Sequence, residues 1–156
     1  MTGAALLSPS SWCTFVVGDG LYGVELPRVQ EVLRPLPLTR VPLAPPAVVG
    51  LLNLRGQIVP AVDLRTLLRL PPRDAAGGMV VVRGPEGPVA LVVDSIGDVR
   101  HASELESAGA RMDREPANDP LFAQALALPE RLLVVLDLDP LLDAAFARPA
   151  PRFPGD

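Results

Sequence analysis

The chain has 156 residues, 49% of them hydrophobic, and a formal net charge of −4, which suits one ordinary domain or two very small domains with a shared core. The negative charge disfavours a general binder of nucleic acid or of anionic membranes, because such proteins present a basic face. All fourteen basic residues are arginines, so a P-loop, a Schiff-base enzyme and a receiver domain are each disfavoured, since each of them uses a lysine.

The sole cysteine, Cys13, cannot form an intramolecular disulfide, which suits a reducing compartment. Residues 1–8 lack the basic region and the long apolar core of a signal peptide, and no apolar run approaches the roughly 20 residues of a membrane helix. We therefore expect a cytoplasmic protein without direct membrane insertion. Nineteen prolines and thirteen glycines favour frequent chain reversals and hence many short strands.

The first predicted elements are a flexible N-terminal segment over 1–11 and a β-hairpin. The apolar runs of this hairpin, 13–17 and 21–26, flank an Asp-Gly turn signal. Residues 27–34 carry apolar side chains at spacings of three and four, which predicts a short amphipathic helix that Pro35 ends.

A proline-rich segment, 35–46, is predicted to be an edge strand or a crossover loop, because proline has no backbone N–H to donate to a hydrogen bond between strands. A second hairpin follows, with apolar runs over 49–54 and 58–62. Its turn is predicted at Arg55-Gly56, where Gly56 can take a positive φ at no steric cost.

Within this second hairpin, Leu52 and Leu54 fall on one face of the first strand, whereas Asn53 and Arg55 fall on the other. Stability alone does not explain an arginine at a turn between two buried strands. Arg55 is therefore the first candidate for a functional residue.

Asp63 is predicted to cap a short helix that extends to Leu70. A third hairpin, with strands over 79–82 and 89–93, is apolar on both faces, which places it in the middle of the molecule. A weaker strand is predicted near Val99.

The last third of the chain is less regular. We predict no structure for 102–118, and 119–128 fits either a helix or a strand. Residues 132–139 are predicted to form a strand with Leu132, Val134, Leu136 and Leu138 on one face, followed by a closing helix that Asp139 caps. The proline-rich tail, 147–156, is predicted to be disordered.

No catalytic or metal-binding constellation emerges from the sequence. The only histidine, His101, lies in a weakly patterned region without a Gly-x-Ser-x-Gly elbow, so a partly exposed structural residue is the favoured interpretation. We interpret Cys13 as a small hydrophobic residue within an apolar strand. Asp137 and Asp139 form a carboxylate pair, but the second of these is already explained as a helix cap. We expect neither an enzyme nor a cofactor, and a small hydrolase remains an unfavoured alternative.

The order of motifs resembles the CheW family, the coupling proteins of bacterial chemotaxis, from about residue 13 to residue 143. The most specific part is the Asn-Leu-Arg-Gly stretch followed by the Asp-Leu-Arg stretch. The residues that carry the resemblance are Val29-Gln30-Glu31-Val32, Pro42 through Pro45, Val49-Gly50-Leu51-Leu52-Asn53-Leu54-Arg55-Gly56, Ile58-Val59-Pro60-Ala61-Val62-Asp63-Leu64-Arg65, Val92-Val93-Asp94-Ser95-Ile96 and 133–142.

The resemblance implies an all-β fold with short helices, built as two five-stranded SH3-like β-barrels that share an apolar seam. It implies one CheW-like domain over 12–146, with two intertwined barrel subdomains divided at roughly 62–72. It also implies an adaptor without catalytic activity that bridges the helical cytoplasmic tips of chemoreceptors and the regulatory domain of the histidine kinase CheA. Such an adaptor would be cytoplasmic and recruited to receptor complexes at the inner membrane. A paralogue that serves another CheA-like pathway, such as surface motility, is the alternative.

By position, the resemblance implies a partner-binding set of Glu31, Asn53, Arg55, Asp63 and Arg65. In the family the first helix carries the acidic residue that Glu31 matches, and this residue is thought to pair with the arginine that Arg55 matches. Two interpretations of that pair remain open: an exposed ion pair that contributes only slightly to stability, and a pair that shapes the receptor-facing region of the family. Asp63 is also explained as a helix cap, and Arg65 as part of a solvated helix face.

The chain departs from the family pattern at Gln124-Ala125, where members usually carry a basic residue followed by a glycine. This departure predicts a straighter strand or a helix there. It also leaves the partner contacts of the second barrel open.

Overall fold

The computed structural model of the chain describes residues 11–72, 77–107, 109, 111–112 and 119–147. The predicted flexible start, the proline-rich tail after Ala147 and most of 108–118 lie outside these ranges. The strands are β1 Ser11–Val17, β2 Gly20–Glu25, β3 Val29–Leu33, β4 Val48–Leu54, β5 Gln57–Asp63, β6 Gly78–Gly84, β7 Gly87–Val93, β8 Ser95–His101, β9 Arg111–Met112, β10 Phe122–Ala127 and β11 Leu132–Leu136. The helices are α1 Leu64–Leu67, α2 Ala102–Ser107 and α3 Leu138–Phe146.

The strands form two sheets. The first has the order β8-β1-β2-β11-β10-β9, and the second has the order β3-β6-β7-β5-β4. Pairing is antiparallel except between β2 and β11 and between β5 and β7. The chain crosses between the sheets at a 3-10 turn, Leu26–Arg28, and again at Asp94. The division predicted at 62–72 falls at the end of β5 and in α1, within the part of the chain that builds the second sheet.

Three apolar clusters explain why so many strands are buried on both faces. A seam cluster lies between the sheets and receives side chains from both of them and from α1 and α3, including Phe15, Leu64 and Leu141. Each sheet also covers a cluster of its own, around Trp12 in the first sheet and around Leu52 in the second. The expected apolar seam is thus present, and the mostly-β architecture with short helices is confirmed.

Strand β6 shows how the sequence produces this arrangement. Met79 and Val81 point into the cluster of the second sheet, whereas Val80 and Val82 point into the seam cluster. Because successive side chains of a strand alternate between faces, only a strand that is apolar at every position can serve two cores.

The second sheet curls so that its two edges approach each other. The segment after β3 reaches β4 at Thr39 and Leu51, whose backbone groups exchange two hydrogen bonds of 2.8 Å. Gly50 permits this approach, since a Cβ there would lie 2.9 Å from the Thr39 carbonyl oxygen. No ladder joins β3 directly to β4 in the described residues, so the pairing stays open and closure into a barrel is not shown.

The helix predicted over 27–34 is wrong. Pro27 lies in the 3-10 turn, and the residues after it form β3, an edge strand paired with β6. Val29 and Val32 are β-branched and pair with Val82 and Val80, which favours an extended backbone. A register shift between Val29 and Glu31 mimics helical spacing in the sequence.

Other predicted elements also differ from those of the structure in their boundaries or type. The helix after Asp63 ends at Leu67 and not at Leu70, and the ambiguous segment 119–128 contains strand β10, with a register shift between Phe122 and Gln124. Residues 102–107, which the sequence left without structure, form α2.

The single face predicted for Leu132, Val134, Leu136 and Leu138 is present only in part, because Leu136 and Leu138 are buried in the seam cluster whereas Val134 is half-buried. Leu133 and Val135 are buried in the cluster of the first sheet, whereas Leu132 is 42% exposed. Helix α3 starts two residues earlier than predicted, with Asp137 at the N-cap position and Asp139 in the first turn. Asp139 is therefore not the cap, and its carboxylate accepts a hydrogen bond of 3.2 Å from Arg28 instead.

Burial gives a simple chemical prediction for Cys13, which is 2% exposed in the seam cluster. Desolvation raises the pKa of its thiol, and the thiolate is the reactive form. We expect alkylation to fail in native buffer and to proceed once urea unfolds the chain, as measured by mass spectrometry. Rapid modification of the native protein would contradict the placement of Cys13.

Candidate partner-binding site

The turn between β4 and β5 is a two-residue turn in which both residues are left-handed, with φ of 50° at Arg55 and 85° at Gly56. This geometry matches the twist of the flanking strands, and it favours glycine or asparagine at both positions. The Asn53 side chain stabilises the turn, because its Oδ1 accepts a 2.8 Å hydrogen bond from the Gly56 N–H. The Arg55 side chain is 67% exposed.

Arg55 Nη2 donates a hydrogen bond to Glu31 Oε2, and the Glu31 side chain is 22% exposed. Glu31 belongs to β3 and Arg55 follows β4, so the ion pair links the two edge strands of the second sheet. We call Glu31, Asn53 and Arg55 the hairpin cluster. The structure thus brings together three of the five residues predicted to bind partners.

The energetics of the hairpin cluster do not explain the arginine through stability. An ion pair with one largely exposed partner contributes about 0.2–1 kcal/mol. A left-handed backbone at a residue with a Cβ costs about 1–2 kcal/mol, and Arg55 adopts that backbone. The arginine therefore gives the fold no net advantage over a glycine. Ile58, opposite Asn53 in the ladder and 59% exposed, adds apolar surface beside the charge.

Asn53 positions the turn and can be tested separately from Arg55. Asn53→Ala removes the acceptor for the Gly56 N–H, and we expect the free energy of unfolding to fall by about 1 kcal/mol. Asn53→Asp keeps an acceptor oxygen at the same place and serves as the matched control. Urea denaturation with an unchanged m-value measures both effects. Equal losses in the two variants would argue against the turn hydrogen bond.

The other two predicted residues lie elsewhere. The Arg65 guanidinium binds the Asp94 carboxylate with two hydrogen bonds, Nε to Oδ1 at 2.9 Å and Nη2 to Oδ2 at 2.6 Å. Its Nη1 donates to the Pro71 carbonyl oxygen at 2.7 Å, and the Gly18 N–H donates to Asp94 Oδ2 at 2.7 Å. Hydrogen bonding to Asp94 raises the pKa of Arg65, so the guanidinium is charged at every physiological pH.

Asp63 holds this arrangement in place. Its Oδ1 accepts a hydrogen bond from the Arg65 N–H at 3.2 Å and its Oδ2 accepts from the Thr66 hydroxyl at 3.0 Å, which confirms the predicted cap. Asp63, Arg65 and Asp94 form what we call the Arg65 cluster. It joins the β1–β2 turn of the first sheet to α1, at the end of the second sheet.

The two clusters are far apart. Six residues of β5 lie between the turn and Asp63, which corresponds to about 20 Å of extended strand. The side chains of Arg65 and Asp94 are only 16% and 9% exposed, so the Arg65 cluster is mainly internal. Sequence reasoning did not select Asp94 as a site residue. The sequence does contain one indication of its role, because Asp94 is a carboxylate that directly follows the apolar run of β7.

The catalytic candidates do not converge on a reactive site. His101 is exposed at the end of β8, where its Nδ1 lies 2.8 Å from the Ser11 hydroxyl and its Nε2 lies 3.8 Å from Glu104 Oε1. In the ranges that the structure describes, no three His, Cys, Asp or Glu side chains are grouped as metal ligands. Among those same residues, no helix has the length and apolarity needed to cross a membrane.

Comparison with known proteins gives consistent matches. The family model described as CheW-like domain matches residues 11–146. The chain is 30% identical over 133 residues to the chemotaxis protein CheW of Bacillus subtilis (83% of this chain and 84% of that protein). It is 33% identical over 141 residues to the chemotaxis protein CheW of Klebsiella aerogenes (83% of this chain and 80% of that protein).

A solved structure matches the fold. The crystal structure of the scaffolding protein TtCheW from Thermoanaerobacter tengcongensis superposes with a TM-score of 0.71, covering 83% of this chain and 90% of that one. At 21% sequence identity this likeness shows the fold alone.

Proposed function

The chain belongs to the CheW family of non-catalytic chemotaxis scaffold proteins, and from this premise we propose that it couples chemoreceptors to a CheA-type histidine kinase. One surface binds the helical cytoplasmic tip of a receptor, and another binds the regulatory domain of the kinase. The protein acts in the cytoplasm and is recruited to receptor complexes at the inner membrane.

The observation that carries this proposal is the exposed guanidinium of Arg55 on a left-handed turn. The residue offers its charge to solvent at a position where the backbone favours glycine, and Glu31 holds its orientation. Ile58 supplies adjacent apolar surface. A receptor helix with an acidic and an apolar side chain one turn apart is complementary to this surface.

The five predicted residues divide between two roles in this proposal. Glu31, Asn53 and Arg55 form the partner-binding surface. Asp63 and Arg65 support it indirectly, because their polar groups bind other groups of the same chain.

We further propose that each sheet forms an SH3-like barrel within one domain over 12–146. Two observations support this view of the second sheet: the Thr39–Leu51 bridge between its edges, and the ion pair of Glu31 with Arg55. The separate apolar cluster of each sheet is the interior that such a barrel needs.

Binding to isolated partners tests the coupling function. The purified chain is titrated with a CheA regulatory domain and, separately, with a receptor cytoplasmic fragment, and calorimetry measures each dissociation constant. We expect micromolar binding to both partners, with simultaneous occupancy. Failure to bind either partner at high micromolar concentration would overturn the proposal.

A further inference from the structure

A groove of about 430 Å³ lies between β5, the β6–β7 turn and the end of α3, and its lining begins at Gln57, directly after the turn residue Gly56. Its apolar lining includes Ile58, Pro85, Leu142 and Phe146. Ile58 and Phe146 are 59% and 40% exposed, so the groove presents two large apolar side chains to solvent. Such a surface favours an occupant.

The charge of the groove defines the chemistry of that occupant. The charged side chains that line it are Glu86 and Asp143, both acidic and both exposed. A complementary segment therefore carries basic side chains together with apolar or proline residues. Proline-rich segments suit such grooves, because they lose little conformational entropy on binding.

We propose that the groove is occupied by the chain's own segment 148–156, which reads Arg-Pro-Ala-Pro-Arg-Phe-Pro-Gly-Asp. This segment follows Ala147, and Ala147 itself lines the groove. Arg148 and Arg152 supply the two positive charges, and Phe153 supplies an aromatic side chain.

The geometry and the tether both favour this occupant. At about 3.1 Å per residue, six residues in a polyproline conformation reach roughly 19 Å, and residues 148–153 start next to Ala147, which lines the groove. A short tether gives an effective concentration of about 1 mM, so even a weak contact occupies the groove. Any external partner of this surface must then displace the segment.

Paramagnetic broadening in the full chain tests the proposal. Gly155→Cys introduces a site for a nitroxide label, and Cys13 is too buried to compete for it. We expect the amides of Ile58, Glu86 and Phe146 to lose most of their peak intensity. The matched control is the opposite flank of Ala147, where Ala47 and Thr66 line a separate pocket. A segment without a preferred site would broaden both flanks equally, which would overturn the proposal.

Charge reversal identifies the forces involved. Arg148→Glu with Arg152→Glu should remove the selective broadening at the groove, and Glu86→Arg with Asp143→Arg in the same chain should restore it. Unchanged broadening in the first variant would refute the proposed charge pairing.

A mixing experiment distinguishes an intramolecular contact from a contact between two copies of the chain. Spin-labelled chain is mixed with isotope-labelled, spin-free chain. Broadening in this mixture would assign the segment to a second copy and overturn the intramolecular proposal.

Discussion

Asp94→Ala is expected to lower the free energy of unfolding by about 3 kcal/mol, and the melting temperature by roughly 6–12 °C. The Asp94 side chain is 9% exposed and accepts hydrogen bonds from Arg65 and from the Gly18 N–H. Its removal leaves a partly buried cation and a backbone donor without their carboxylate partner. Because Arg65 lies on α1, directly after the second sheet, and Gly18 lies in the β1–β2 turn of the first sheet, the loss also weakens the junction between the sheets.

Asp139→Ala is the matched control for this prediction. Asp139 also pairs with an arginine, Arg28 at 3.2 Å, but its side chain is 75% exposed. Such a pair contributes about 1 kcal/mol or less. Thermal denaturation of the two variants, with a double-mutant cycle between Arg65 and Asp94, measures the difference. Equal losses for Asp94→Ala and Asp139→Ala would contradict the structural role of the Arg65 cluster.

Arg55→Gly is expected to separate function from stability. Glycine accepts the left-handed backbone of this turn without strain, so the free energy of unfolding should stay within about 1 kcal/mol of the parent value. Receptor binding should weaken by about 30-fold, which corresponds to the roughly 2 kcal/mol that defines a hot-spot residue. Calorimetric titration against a receptor fragment and thermal denaturation provide the two measurements.

Arg55→Ala extends this test, because alanine retains the backbone strain that glycine relieves. It should bind receptor as weakly as Arg55→Gly while being slightly less stable. If the two variants instead retain parental affinity, Arg55 is not a contact residue.

The ion pair itself can be tested by exchanging its charges. Glu31→Arg or Arg55→Glu alone places like charges together, and we expect each to reduce receptor-dependent kinase activation. The double variant restores opposite charges and should recover part of that loss. Losses that simply add in the double variant would show that the two side chains do not act as a pair.

The local parts of the fold could be predicted from the sequence because their causes are local. The turn at Arg55-Gly56, the cap at Asp63 and the doubly buried β6 each follow from side-chain chemistry within a few residues. Strand β3 was mispredicted because its register shift imitates helical spacing, and only pairing with β6 decides its conformation.

The candidate site could be predicted only in part. Pairing of Glu31 with Arg55 was inferred from family resemblance, since these residues belong to opposite edges of one sheet. The contact of Arg65 with Asp94 joins α1 to the point where the chain returns to the first sheet, 29 residues later. Nothing in either local sequence identifies the other partner. Long-range contacts of this kind depend on the complete topology.

Receptor-dependent activation of the kinase tests the central claim most directly. Purified CheA-type kinase and a receptor cytoplasmic fragment are combined with ATP, with and without the chain, and kinase autophosphorylation is measured. We expect a large increase in rate only when all three proteins are present, and its loss with Arg55→Gly despite normal folding. An unchanged rate in the complete mixture, with both partners bound, would contradict the coupling function.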